Sequence, residues 1–290
     1  MRHEAKLLLK IKVMINNEVK KWLQNRLKEV GYEEFEPQVN VICNEEYIHP
    51  VKPLVAALGT SGGKTVLATL KLEEFYRHPE NVNKKSIFFA AAKADTRDNV
   101  KETFENLNVN FSYCVIDNPD KKGEALLEAL ESDCQVIVLL PHTWNAVKDE
   151  ASKILPKIDG WFIKDEAHKW YFNRTVQNML KKANPAYQLL LTGTPYDFTA
   201  KKDDFLIYYC SVEELQDMGK CGDADVITVA TNYDFRRSDY HGNGELKSSL
   251  RWSKDVDEKA IKTVLKTMVQ VVGSKWTTNT WRKICRNDVE

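Results

Sequence analysis

The stretch that decides the fold is LGTSGGKT, residues 58–65, which lies between an apolar run and a helix-forming segment. The Walker A loop, whose backbone N–H groups hold phosphates, follows the pattern G-x-x-x-x-G-K-[ST]. Counting back from Lys64, that pattern expects its first glycine at the place of Leu58, and Gly59 comes one position late. The stretch is therefore either a phosphate-binding loop with a displaced glycine or an ordinary glycine-rich turn.

The surroundings of this stretch favour the phosphate-binding interpretation. A phosphate loop needs a strand before it and a helix after it, so that the helix N-terminus faces the anion. The buried-type run PLVAAL precedes the stretch, and a helical pattern follows it. Gly62 and Gly63 would let the backbone bend closely around a phosphate. Lys64 would then reach the β- and γ-phosphates, and the hydroxyl of Thr65 would ligate Mg²⁺.

Apolar runs and helical patterns continue to alternate up to about residue 195. Because parallel strands need crossover helices and are buried on both faces, this alternation predicts an α/β fold with a parallel, doubly wound sheet. Ligands of such sheets bind at the carboxyl ends of the strands. The six apolar runs are residues 53–58, 86–92, 111–116, 135–140, 160–168 and 187–195.

The remaining segments are assigned from the same patterns. Residues 18–32 predict an amphipathic helix that ends near Gly31, and a solvated surface helix is favoured over a nucleic-acid arm. After the alternation we expect a strand and a helix in residues 203–219, then a strand at 224–235. A polar loop at 236–255 and a helix at 257–272 complete the chain. We expect three parts: an N-terminal helical segment (1–50), an ATPase domain (51–212) and an incomplete α/β segment (213–290).

Composition narrows the class of protein. Lys and Arg together number 42, as do Asp and Glu, so nucleic-acid binding would have to come from local clusters of positive charge. The six cysteines include no C-x-x-C pair, which is typical of reduced packing thiols and not of a disulfide frame or a zinc site. The lysine-interrupted N-terminus predicts neither a signal peptide nor a membrane span. We therefore expect a cytoplasmic protein, in the host cytoplasm if it is viral, with no membrane partner.

Two adjacent acids, Asp165 and Glu166, end the apolar run GWFIK. Phosphoryl transfer to water needs a carboxylate in the Mg²⁺ shell and a group that orients or deprotonates the water. Neighbouring carboxylates at a strand end can divide these tasks, with Asp165 towards the metal and Glu166 towards the water. A solvated acidic pair in a loop is the alternative, which the apolar lead-in disfavours.

These motifs together resemble a known family. Residues 165–168 read D-E-A-H and residues 191–195 read L-T-G-T-P, and with the TSGGKT loop they resemble the first motor domain of superfamily 2 DEAD/DEAH-type helicases and translocases. The resemblance covers about residues 35–200. It implies a RecA-like P-loop NTPase domain that uses ATP and Mg²⁺. Leu58 and Ser61 depart from the family loop A-x-T-G-x-G-K-T.

The resemblance also implies site residues. Thr60 and Ser61 join the nucleotide-binding loop. Gln38 stands about where the family places an adenine-reading glutamine, although an ordinary surface glutamine is an equal alternative. His168 of the D-E-A-H box resembles a catalytic and coupling group. Thr192 and Thr194 resemble groups that couple the ATP site to nucleic acid.

Two loops correspond to the family's strand-contacting segments. Lys93, Thr96 and Arg97 follow the second apolar run, and Thr143 follows the fourth. These side chains would contact backbone phosphates, a sequence-independent mode of binding that suits a motor. A solvated turn is the alternative for both loops. The T-G-T-P form, in place of S-A-T, indicates DNA more than RNA and is similar to repair or annealing helicases and restriction-type motors.

The sequence contains the motifs of a first motor domain but not those of a second. Superfamily 2 motors close their ATP site with arginine fingers from a second domain, and no Q-x-x-G-R-x-x-R-like motif follows residue 200. Such arginines are worth about 10³–10⁵ in rate. We therefore expect weak hydrolysis by this chain alone, with a missing C-terminal domain or a partner chain as the source of the fingers. A stand-alone P-loop NTPase or small-molecule kinase, and a binding module without catalysis, are the alternative functions.

Overall fold

The computed structural model describes residues 14–59, 62–91, 94–116, 122–141, 143–144 and 158–220, and every structural statement below concerns those residues. All of them fall within one compact unit, residues 1–222. The strand expected at 224–235, the loop at 236–255 and the helix at 257–272 lie outside the described residues. So does most of a helix expected at 143–155.

The sheet has seven parallel strands in the order β3-β4-β2-β5-β6-β1-β7. The predicted parallel α/β architecture is confirmed, and β7 is the strand expected beyond the sixth apolar run. Both faces of β1, β2, β4 and β5 are buried, which explains why these strands read as continuous apolar runs. The strands are β1 Leu54–Leu58, β2 Ser86–Phe89, β3 Tyr113–Val115, β4 Val136–Leu139, β5 Trp161–Lys164, β6 Tyr187–Thr192 and β7 Leu206–Cys210.

Helices cover both faces of the sheet. They are α1 Asn17–Glu29, α2 Glu36–Cys43, α3 Glu45–Ile48, α4 Lys64–Tyr76, α5 Ala94–Leu107, α6 Lys122–Glu131, α7 Ala167–Trp170, α8 Arg174–Ala183, α9 Tyr196–Thr199 and α10 Val212–Asp217. Short 3₁₀ turns occur at Pro79–Asn81 and Lys202–Asp204. The predicted helix near the N-terminus is confirmed as α1, and Gly31 just after it has a φ of +74°. The sequence patterns did not predict α2 and α3.

The core has two apolar clusters, one on each face of the sheet. The cluster against α1, α2, α4 and α5 includes Leu23, Ile42 and Phe104, and the cluster on the other face includes Leu130 and Phe198. α1 is amphipathic as predicted: Leu23 is fully buried in the core, while Lys21 and Lys28 are exposed. The boundary of the ATPase domain at residue 51 stays a prediction.

Polar contacts tie the N-terminal helices to α4. The Arg26 guanidinium donates to the buried Glu73 carboxylate at 2.7 Å and to the carbonyl of Asn108 at 3.1 Å. The fully buried Lys71 donates to the Tyr47 carbonyl at 2.9 Å, and burial lowers the pKa of its ammonium to about 8. These contacts fix the helix that begins at Lys64.

The described residues contain no helix that is both long and apolar enough to cross a membrane. Cys43, Cys114, Cys134 and Cys210 are free thiols, in agreement with the expectation of packing cysteines. Within the same part of the chain, no group of three or more His, Cys, Asp and Glu side chains could hold a metal ion.

Candidate functional site

The strand order places the three sequence motifs side by side. β6 lies between β5 and β1 in the sheet, and all three strands run in the same direction. The LGTSGGKT stretch follows β1, the D-E-A-H box follows β5, and the T-G-T-P box begins at the end of β6. Their side chains therefore share the carboxyl edge of the sheet, where ligands of open α/β sheets bind.

Two described glycines of the loop after β1, Gly62 and Gly63, occupy positions that leave no room for a side chain. Gly63 has a φ of +63°, in the left-handed region that favours glycine, and it is the N-cap residue of α4. A Cβ on Gly62 would lie 2.8 Å from the Leu58 Cβ and 2.9 Å from the Gly59 carbonyl oxygen. Both positions therefore require glycine, and the N-terminus of a 13-residue helix stands directly behind them.

The ammonium of Lys64 is held by the loop. It donates to the carbonyls of Leu58 and Gly59 at 3.2 and 3.3 Å. Burial, with the neighbouring Glu166 charge, raises the pKa of Asp165 above its usual range, and Lys64 counteracts part of that rise. The sequence-predicted Lys64 and Asp165 lie at the same edge of the sheet. Thr65 is the second residue of α4, and Thr60 and Ser61 lie outside the described residues.

The acidic pair has a strained backbone. Glu166 has a φ of +48° and a ψ of 48°, a left-handed conformation that is uncommon for a residue with a side chain. Its N–H donates to Asp165 Oδ1 at 2.9 Å, and the Asp165 N–H donates to the Phe89 carbonyl at 2.9 Å. The ammonium of Lys164 donates to the Asp165 carbonyl, and burial lowers the pKa of Lys164 to about 8. These contacts hold the turn that presents both carboxylates.

His168 connects the D-E-A-H box to the T-G-T-P box. Its Nδ1 lies 2.9 Å from Thr192 Oγ1 and 3.4 Å from Glu166 Oε2. Thr192 Oγ1 in turn accepts a hydrogen bond from the Thr194 N–H at 3.0 Å. Burial lowers the pKa of His168, so the imidazole is neutral at neutral pH and one ring nitrogen accepts. Glu166, His168, Thr192 and Thr194 form one chain of contacts, and their coupling role stays a prediction.

A pocket of about 350 Å³ opens beside the loop. Gln38 in α2 is 6% exposed, and its Nε2 donates to the Gly63 carbonyl at 3.3 Å. The alternative of an ordinary surface glutamine is therefore wrong. Two further walls come from Phe35 and from Lys220, whose ammonium lies 5.8 Å from the Phe35 ring centroid. The lining residues are Gly31, Tyr32, Glu33, Phe35, Gln38, Gly63, Val66 and Lys220.

The predicted strand-contacting residues that the structure describes are bonded within the protein or buried. Thr96 Oγ1 donates to the Ala91 carbonyl at 3.0 Å. The Arg97 guanidinium donates to Asp98 Oδ1 at 2.7 Å and to the Ile116 carbonyl at 3.4 Å. Thr143 is 1% exposed, and its hydroxyl has no hydrogen-bond partner among the described residues. Lys93 lies outside the described residues.

Sequence reasoning missed several residues of this site. Tyr32, Phe35 and Lys220 line the pocket, yet only the proximity of Phe35 to the predicted Gln38 was visible in the sequence. Lys164 could have been found from the sequence, since a lysine inside an apolar strand needs a buried partner.

Three comparisons with known proteins bear on this arrangement. The sequence profile of the family described as "Type III restriction enzyme, res subunit" matches residues 16–197, more than half of the chain. No curated protein sequence matches the chain. Solved structures of helicases and related proteins do match its fold.

Three solved structures illustrate the fold. A DEAD box protein from the hyperthermophile Methanococcus jannaschii is 17% identical with a TM-score of 0.50, and the match covers 65% of this chain and 53% of that one. The UvsW helicase from Bacteriophage T4 is 16% identical with a TM-score of 0.45, covering 61% and 60%. S. cerevisiae Dbp5, bound to RNA and ADP BeF3, is 14% identical with a TM-score of 0.46, covering 66% and 50%.

The chain thus spans between half and three fifths of the length of these structures. The match to the DEAD box protein supports the RecA-like fold that the sequence predicted. The family profile covers all three motifs, from before Gln38 to beyond Thr194. The chain therefore belongs to the family described as "Type III restriction enzyme, res subunit", and its fold is similar to that of the DEAD box protein.

Proposed function

We propose that this domain binds ATP·Mg²⁺ at the carboxyl ends of β1, β5 and β6 and hydrolyses it while acting on nucleic acid. The observation that carries the proposal is the convergence of the three motifs at one edge of the sheet, with His168 of the D-E-A-H box in contact with Thr192 of the T-G-T-P box. Phosphoryl transfer depends on positioning and on stabilisation of charge, and these side chains supply both.

The phosphates would lie in the loop after β1. Gly62 and Gly63 let the loop pack closely against Leu58 and Gln38, and the α4 N-terminus adds favourable partial charge. Lys64 would exchange its bonds to the Leu58 and Gly59 carbonyls for the β- and γ-phosphates. Thr60 and Ser61 would complete the cradle.

The acidic pair fits a divalent cation. Burial and a second carboxylate destabilise the charged form of Asp165, so a cation at this place is favoured. Mg²⁺ in such sites is held by one or two protein oxygens together with phosphates, which suits Thr65 and Asp165. Mg²⁺ supplies charge neutralisation at the transferred phosphoryl group. Glu166 would orient the attacking water and accept its proton, with His168 beside it.

The nucleobase would occupy the pocket beside Gln38. The Gln38 amide offers donors and an acceptor to the edge of a base, and the Phe35 ring offers a face for stacking. The pocket lies at the Gly63 end of the phosphate loop, so one nucleotide could place its base in the pocket and its phosphates in the loop.

Nucleic acid would lie across the loops after β2 and β4. Lys93, Thr96, Arg97 and Thr143 would contact its backbone, Arg97 after leaving Asp98 and Thr143 after leaving its buried position. The T-G-T-P form supports DNA over RNA. Thr192 and Thr194 would couple binding of the strand to His168 and Glu166.

A second domain or a partner chain would complete the ATP site with arginine side chains. This completion would raise the rate by about 10³–10⁵. The described domain alone would therefore bind ATP·Mg²⁺, hydrolyse it slowly and not unwind duplexes. Robust unwinding by the purified chain would contradict this part of the proposal.

The test measures binding and hydrolysis separately in the wild type and in Glu166→Gln. We expect the variant to bind a fluorescent ATP analogue with wild-type affinity. Its phosphate release should fall by about 10²–10⁴-fold, the contribution of a general base. Unchanged turnover would remove Glu166 from its role.

Adding DNA distinguishes the competing functions. A motor domain should hydrolyse ATP faster with single-stranded DNA, whereas a stand-alone kinase or NTPase should not respond. A matched control is Glu80→Gln, because Glu80 is an exposed acid in a 3₁₀ turn. The control should retain wild-type binding and turnover.

A further inference from the structure

Helix α10 packs directly against the back of the phosphate loop. A Cβ on Gly59 would lie 2.8 Å from Val212 Cγ2 and 3.0 Å from Leu215 Cδ1. A Cβ on Gly62 would lie 3.5 Å from the same Leu215 methyl group. The Gly59 N–H also donates to the carbonyl of Cys210, the last residue of β7, at 3.3 Å. The entrance of the loop thus rests on the strand and helix that lie last in the described chain.

The position of α10 is well fixed. Ser211 and Glu214 form a capping box, in which the Glu214 N–H donates to Ser211 Oγ at 3.1 Å and the Ser211 N–H donates to Glu214 Oε2 at 2.7 Å. Leu215 is fully buried in the same core cluster as Leu58 and Leu67. A helix held at its first turn and by its core residue provides a firm surface for the loop.

The same segment reaches the other end of the candidate nucleotide site. Three residues after α10, Lys220 lies 5.8 Å from the Phe35 ring centroid and 3.7 Å from Glu33 Oε2. Residues 212–220 therefore contact both the phosphate loop and the base pocket. A shift of this segment would change the contacts at both ends of a bound nucleotide.

We propose that α10 is a positioning helix for the phosphate loop and that it acts through Gly59. The proposal rests on the function proposed above. Only a residue without a Cβ allows α10 this close, which gives a reason for a glycine at position 59. The carbonyls of Leu58 and Gly59, which Lys64 contacts in this structure, lie at that point. α10 thereby sets the backbone from which Lys64 reaches the phosphates.

The test begins with Gly59→Ala. Gly59 is not among the described glycines with positive φ, so alanine acts through packing and not through backbone strain. We expect affinity for a fluorescent ATP analogue with Mg²⁺ to fall by about fivefold to a hundredfold, the effect of overpacking a close contact. Circular dichroism should show a folded chain.

A second substitution that restores ATP affinity separates a positioning role of α10 from general damage to the fold. Val212→Ala removes the nearer of the two methyl groups that the new Cβ would meet, and Val212 is 47% exposed, so the fold should tolerate the change. The double variant should bind within about twofold of Val212→Ala alone. Val51→Ala, at a 90% exposed valine, is the matched control and should not rescue.

Each outcome decides the proposal. Wild-type affinity in Gly59→Ala, or equal rescue by Val212→Ala and Val51→Ala, would overturn it. If Gly59→Ala does not fold, Val212→Ala alone decides: affinity reduced by about twofold or more supports the contact, and unchanged affinity refutes it. Absence of ATP binding by the wild type would overturn the proposed function as well, which distinguishes the two failures.

Discussion

The two halves of the sheet's carboxyl edge differ in how their polar side chains are used. Beyond β1, β5 and β6, polar groups meet across strands, as His168 meets Thr192. Beyond β2 and β4, Arg97 bonds to its neighbour Asp98, and the buried Thr143 hydroxyl has no hydrogen-bond partner among the described residues. In the first half, a ligand would exchange the two Lys64 bonds to the loop carbonyls, while the contact between His168 and Thr192 is already formed. In the second half, Arg97 and Thr143 would both have to change position to contact a ligand. The candidate ATP half is therefore more preorganised than the candidate nucleic-acid half.

Lys64→Ala should have the largest effect on this comparison. Removing the charged donor should lower ATP affinity by about tenfold to a hundredfold, because a hydrogen bond from a charged group to phosphate is lost. Titration with a fluorescent ATP analogue measures the change. Lys181→Ala, at an exposed lysine of α8, is the control and should bind normally. Equal affinities would show that the preorganised half does not hold phosphates.

Thr192→Val should separate ATP binding from the response to DNA. The change keeps the shape of a fully buried side chain and removes the oxygen that contacts His168 and the Thr194 N–H. We expect stimulation of hydrolysis by DNA to fall about tenfold, the cost of one buried hydrogen bond. ATP affinity should stay within about twofold. Thr192→Ser retains the hydroxyl and should retain stimulation; if it fails equally, the contact to His168 is not the cause.

The Arg97–Asp98 pair tests whether the other half must rearrange. Arg97→Ala should weaken binding of single-stranded DNA by about threefold to tenfold and reduce its salt dependence by about one phosphate contact. Asp98→Ala should strengthen binding by about twofold, because the guanidinium is released from a mostly exposed carboxylate. Fluorescence anisotropy at several salt concentrations measures both. Weaker DNA binding by Arg97→Ala together with stronger binding by Asp98→Ala supports a strand contact. Equal losses of DNA affinity in the two variants contradict it.

Thr143→Val should have the smallest effect and the most specific one. The Thr143 hydroxyl is buried and has no partner among the described residues, so replacing it by a methyl group should raise the free energy of unfolding by about 1 kcal/mol. If the hydroxyl leaves its buried position to contact a strand, DNA affinity should fall by about twofold. Urea unfolding and anisotropy measure the two quantities. Higher stability with unchanged DNA affinity would remove Thr143 from the nucleic-acid half.

The sequence predicted best the features that are local in the chain. Lys64 and Thr65 were assigned from the loop pattern, and Asp165 and Glu166 from their place after an apolar strand, because each signal lies within a few residues. The helices α2 and α3 were not predicted, since Gln38 and Val41 lie in a segment with weak periodicity. The hydrogen bonds of Arg97 and the burial of Thr143 could not be predicted either, because both depend on how these segments pack against the sheet.

By itself, the sequence determined that this chain is a parallel α/β protein with three motor motifs in order, because side-chain periodicity and short motifs are encoded locally. The tertiary structure decided which strands are neighbours, and so which motifs meet: β6 between β5 and β1 places Thr192 beside His168. It also gave the displaced glycine a reason, since Gly59 faces Val212 and Leu215, residues far along the chain. Such contacts depend on packing between distant segments, which no local pattern records.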